Sequence, residues 1–135
     1  MRMHTWVGSV AAAVSLLGSI SPSAAGSPAI AVQGALGDPQ LGDAKAGKAN
    51  FGTYCAVCHG NEGKGNGPGA AGLKPKPRNF NDSARMAKID NATLIKAVTE
   101  GGASVGLSPT MAAYKEALSP QQIRDLVAYV RQFAK

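Results

Sequence analysis

Beyond Trp6 the sequence has no tryptophan, beyond His59 no histidine, and apart from Cys55 and Cys58 no cysteine. These absences exclude a good deal. Once His4 is set aside, two cysteines and one histidine leave a tetrahedral zinc site without its usual fourth ligand. Two cysteines separated by two residues close too small a ring to serve as a structural staple in an exported domain. Large apolar residues are also scarce. Arg2, the apolar run from Trp6 to Ile20 and the small-residue exit Ser23-Ala24-Ala25 predict a secretory signal peptide over residues 1–25. Ala29-Ile30-Ala31 offers a second exit and extends the cleavage range to residue 31. The run is short and broken by Gly8, Ser9, Ser15 and Gly18, so simple export is expected rather than a retained anchor, and no later stretch approaches a membrane span. In the 110 residues that follow residue 25, Val, Ile, Leu and Phe number only 20. So few large side chains leave two explanations: a disordered exported chain, or a small domain built around a large apolar cofactor.

The formal charge of +6 falls to +5 when Arg2 is removed with the signal. That excess is modest, and no interleaving of aromatic and basic residues supports nucleic-acid binding. It fits better a basic docking face for an acidic protein partner.

What is present concentrates in Cys55-Ala56-Val57-Cys58-His59. Cys-x-x-Cys-His is the pattern of c-type haem attachment. Its spacing lets two thiols reach the two vinyl groups of one porphyrin, and the adjacent imidazole reaches the iron. A redox dithiol shares the cysteine spacing but expects a strand before it and a helix after it. Here a helix is predicted before the motif and a glycine-rich loop after it.

Residues 26–42, with Pro28 and Pro39, read as a flexible leader. A first helix is predicted after the N-cap Asp43 and runs to about Tyr54, with Gly47, Phe51 and Tyr54 on one face. Asp90 or Asn91 caps a second from about Asn91 to Glu100, stopped by Gly101-Gly102. Ser119-Pro120-Gln121-Gln122 opens the last, with a capping box and first-turn proline, followed by Ile123, Leu126, Val127, Val130 and Phe133 at helical spacing. From Gly60 to about Met86 almost nothing supports regular structure. A loop of that length needs a function, and wrapping a haem is one. The second axial position falls to Met86 or Met111. Met111 has far more chain with which to cross to the opposite haem face, whereas Met86 suits a packing role beside the macrocycle.

The motif with Gly60, Met111, and the ending from Leu118 to Arg131 together resemble a bacterial class I cytochrome c over about residues 43–134. The resemblance implies an all-α cytochrome c fold for residues 43–135, three or more helices and long loops around one covalent haem c, with first and last helices crossing. Gly47, Phe51 and Tyr129 match the glycine and aromatics at that crossing. It implies Cys55 and Cys58 as covalent attachment points and His59 and Met111 as axial ligands. The family's methionine usually precedes a proline; here Ala112 follows and Pro109 lies ahead. A proline carbonyl that accepts from the proximal imidazole is matched best by Pro68, with Pro75 as the alternative. The function implied is one-electron transfer between redox proteins, without enzymatic activity. The signal and the attachment chemistry point to the bacterial periplasm, and a monomer with no membrane span in the mature chain and no nucleic-acid partner is expected. Lys64, Lys74, Lys76 and Arg78 are expected to form a basic rim for partners with acidic faces. Competing readings are a haem-carrying subunit of a larger oxidoreductase and a haem enzyme or gas-binding protein with a vacant or labile sixth position.

Overall fold

The computed structural model describes residues 40–135. The expected signal peptide and all of the expected leader before Gln40 lie outside the described residues. Among the described residues five α-helices follow one another: α1 (Ala44–Asn50), α2 (Ala56–His59), α3 (Ser83–Met86), α4 (Asn91–Glu100) and α5 (Pro120–Gln132). Single 3-10 turns occupy Pro68–Ala70 and Gly102–Val105, and among the described residues there is no strand. The all-α expectation holds.

Local chemistry accounts for the helix starts. Asp43 accepts from the Lys45 N–H at 2.8 Å, Asp82 from Arg85 at 3.0 Å and Asp90 from Thr93 at 2.6 Å. At α5 the Ser119 hydroxyl accepts from the Gln122 N–H, and the Gln122 side chain accepts from the Ser119 N–H at 2.9 Å. Each bond satisfies an amide that the helix itself leaves without a partner. Of the two candidates for the α4 cap, Asp90 is the one used.

α1 lies against α5. A Cβ built on Gly47 would sit 2.0 Å from the Asp125 backbone carbonyl, so only glycine permits this approach. Phe51 fills the space beyond it, with ring centroids 5.2 Å from Phe133 and 5.4 Å from Tyr129. Met86, Leu126 and Val127 are buried in the same core. Two polar ties reinforce it. The buried Asp125 carboxylate accepts from the Asp43 N–H and from Gln121 Nε2, both at 2.8 Å, and so anchors the α1 cap to α5. The Arg131 guanidinium donates to Asn91 Oδ1 and to the carbonyls of Met86 and Ile89, joining α5 to the α3–α4 turn. Ahead of Asp43, Leu41 already packs against the core and the Gly42 N–H donates to the Arg124 carbonyl at 3.4 Å.

Candidate functional site

The expected first helix changes its hydrogen-bonding pattern at Phe51. Residues Phe51–Cys55 form a π-helical turn, in which the Ala56 N–H bonds the carbonyl of Phe51 five residues back. Each residue of an α-helix advances about 100° around the axis, so one extra residue in the turn displaces the following face by about that angle. Gly47 and Phe51 can therefore serve the contact with α5 while Cys55, Cys58 and His59 belong to a differently directed, half-buried face.

After His59 the chain turns back under its own motif. The Gly65 N–H donates to the His59 carbonyl at 2.7 Å, and the Gly67 N–H to the Cys58 carbonyl at 3.1 Å. Gly65 has φ +74°, and a Cβ there would fall 2.2 Å from the Pro77 carbonyl oxygen, so glycine is required on both counts. This packing presses the segment 77–80 against the imidazole. His59 Nδ1 lies 3.2 Å from the Arg78 carbonyl oxygen, and the Phe80 ring stacks on the imidazole at 4.5 Å.

The proline assignment is thereby corrected. Pro68 is exposed at the start of a 3-10 turn, and neither it nor Pro75 partners the imidazole; the Arg78 carbonyl does. A carbonyl oxygen only accepts, so Nδ1 carries the proton and the Nε2 lone pair is left for another partner. Burial also lowers the His59 pKa, outweighing the Arg78 carbonyl bond, and favours the neutral ring. A neutral imidazole with Nδ1 occupied is the form in which histidine ligates a metal.

Cys55 and Cys58 are both free thiols. Burial, with Cys58 adding to it, pushes the Cys55 thiol up to about 12. At neutral pH it stays protonated, which gives Cys55 no thiolate character. A cavity of about 210 Å³ is walled by Ile89, Leu94, Ala97, Val105 and Leu107, with Arg78 and Thr93 contributing polar groups. Arg78 thus belongs both to this apolar cavity and to the support of His59. Neither cysteine nor His59 lines this cavity; two unpaired thiols and a neutral imidazole with a free nitrogen themselves suit a covalently held porphyrin.

The two methionines have different surroundings. Met86 is fully buried in the core, with its carbonyl bonded to Arg131. Met111 is half-buried in the segment between the Gly102–Val105 turn and α5, where its carbonyl accepts from Gly102 at 2.9 Å and its N–H donates to Ser108 at 3.2 Å.

The expected basic rim divides. Lys64 pairs with Glu62 at 2.5 Å, which also lowers the Glu62 pKa. Lys76 folds back to donate to the carbonyls of Ala70 and Ala71, both at 2.8 Å, and Arg78 lines the cavity. Of the four, Lys74 is exposed without a hydrogen bond or ion pair among the described residues. Sequence reasoning missed Arg78 as a backbone acceptor because carbonyls carry no residue-specific mark.

Residues 44–134 match the family model for cytochrome c. The chain belongs to the cytochrome c family. Among curated proteins, this cytochrome is similar to the Cbb3-type cytochrome c oxidase subunit FixP of Azorhizobium caulinodans, at 34% identity over 87 residues, 64% of this chain and 26% of that protein. The FixP subunit of Bradyrhizobium sp. (strain ORS 278) is 35% identical over 88 residues, 65% of this chain and 27% of that protein. The chain thus spans about a quarter of the length of these relatives. Among solved structures, the KustC0563 c-type cytochrome aligns with a TM-score of 0.52 and 30% identity, over 66% of this chain and 98% of that one. This cytochrome is a class I c-type protein with an electron-transfer role and covalent haem c as its cofactor. Among the described residues no helix is long and apolar enough to cross a membrane.

Proposed function

We propose that the mature chain is a periplasmic one-electron carrier, with Cys55 and Cys58 holding the porphyrin and His59 and Met111 as axial ligands. Residues 1–25, or up to 31, act as the export signal, and residues from 43 onward form the electron-transfer domain. The observation that carries this reading is the His59 imidazole, held through Nδ1 by the Arg78 carbonyl, directly after two free cysteines at the Cys-x-x-Cys-His spacing. When bound, the haem supplies a reversible one-electron couple, and methionine ligation raises its potential. The chain's own contribution is positioning. The Arg78 carbonyl orients the imidazole and holds its proton on Nδ1, and the loop 60–67 braces the motif by bonding the carbonyls of Cys58 and His59. Met111 is favoured over Met86 as the second ligand because Met86 is committed to the core. Net positive charge supports partners with acidic faces, with Lys74 as a free contact. We take the carrier to be monomeric.

The test is the weak near-infrared sulfur-to-iron band of the oxidised protein. It is expected in the wild type and absent in Met111→Ala. Its persistence in Met111→Ala, or rapid carbon monoxide binding by the reduced wild type, would overturn the ligand assignment. The resemblance to oxidase subunits favours a second reading, in which this domain serves as a haem-carrying subunit of a larger oxidoreductase. Co-purification from the native membrane fraction with an oxidase would support it over a free carrier.

A further inference from the structure

The segment that carries Met111 is held mainly by its sequence neighbours. Gly102 bonds the Met111 carbonyl, and the N–H groups of Tyr114 and Lys115 donate to Val98 at 2.9 Å and Thr99 at 3.3 Å, the end of α4. One hydrogen bond among the described residues reaches from this segment to the helix bearing the attachment motif. The Tyr114 hydroxyl donates to the Tyr54 carbonyl at 3.1 Å, in a half-buried contact across 60 residues of sequence. Tyr54 immediately precedes Cys55, and the two tyrosine rings meet edge to face at 5.8 Å. Burial raises the Tyr114 pKa, so the phenol keeps its donor proton at neutral pH. Three residues beyond Met111, it therefore ties the methionine segment to the backbone that places the cysteines.

We propose that Tyr114 is a positioning residue, whose phenol-to-carbonyl clasp holds the Met111 segment closed and sets how readily Met111 is displaced. This rests on the assignment of Met111 as the second axial ligand. An external ligand can bind only after the thioether leaves, so its apparent affinity is reduced by whatever stabilises the closed segment. A net hydrogen bond of about 1 kcal/mol corresponds to roughly a five-fold change in that equilibrium. Tyr114→Phe keeps the ring contact and removes only the hydroxyl.

Imidazole titration of the oxidised, haem-loaded protein tests the clasp. Tyr114→Phe is expected to bind imidazole about five-fold more tightly than wild type. Unchanged affinity would overturn the clasp. In a Met111→Ala background the same substitution should shift the affinity no further. An equal shift there would mean that the phenol controls access rather than Met111, and would also overturn it. Failure of the parent reading is separately visible, since Met111→Ala would then keep its near-infrared band while Tyr114→Phe behaved in any manner.

Discussion

The contact between α1 and α5 and the loops around the attachment motif are built by opposite means. At the helix contact, side chains do the holding: Phe51, Tyr129 and Phe133 interlock, Leu126 and Val127 are buried, and Gly47 brings the backbones together. Between Gly60 and Asn79 the one buried apolar side chain is Ala70. That loop is held by backbone bonds such as Gly65 to His59 and Phe80 to Gly63. Backbone bonds contribute little net stability while water competes for them, and burial is what makes them count. The difference teaches that the helix contact is a conventional small core, whereas the loops have the form of a lining and need something apolar to line.

Substitutions can break this contrast. Phe51→Ala in the haem-loaded protein empties the centre of the helix contact, and a loss of about 3–5 kcal/mol is expected in denaturant unfolding. Its near-infrared band should survive under native conditions. If the band disappeared while the protein stayed folded, the two regions would not be separable. Gly47→Ala is expected to cost less. Overpacking typically costs about 1–3 kcal/mol, and the overlap with the Asp125 carbonyl places this site toward the upper end. Alanine's better helix propensity returns at most about 1 kcal/mol, so a net loss is predicted. A stabilised Gly47→Ala protein would show that the helices can separate freely.

The same contrast governs what could be read from the sequence. Side-chain periodicity and caps announced α4 and α5, and Gly47 with Phe51 marked the helix contact. The attachment motif was legible because covalent chemistry demands particular residues at fixed spacing. The π-helical turn at Phe51–Cys55 was not, since Phe, Gly, Thr, Tyr and Cys carry no pattern that distinguishes it from an α-helix. Arg78 was expected on a docking rim for its charge, yet its carbonyl supports His59 and its side chain lines the cavity. The charges of Lys64 and Lys76 mark them for the same rim, and their local partners Glu62, Ala70 and Ala71 emerge only from the fold of the loop. Asp125 and Arg131 organise α5 through long-range polar bonds that an amphipathic pattern hides.

The central claim is that a porphyrin completes the half of the molecule that side chains leave open. Thermal unfolding of the haem-free Cys55→Ala, Cys58→Ala chain, followed by far-ultraviolet circular dichroism, tests it most directly. The account predicts a largely unfolded chain with no cooperative transition. A sharp, native-like transition in that chain would contradict it.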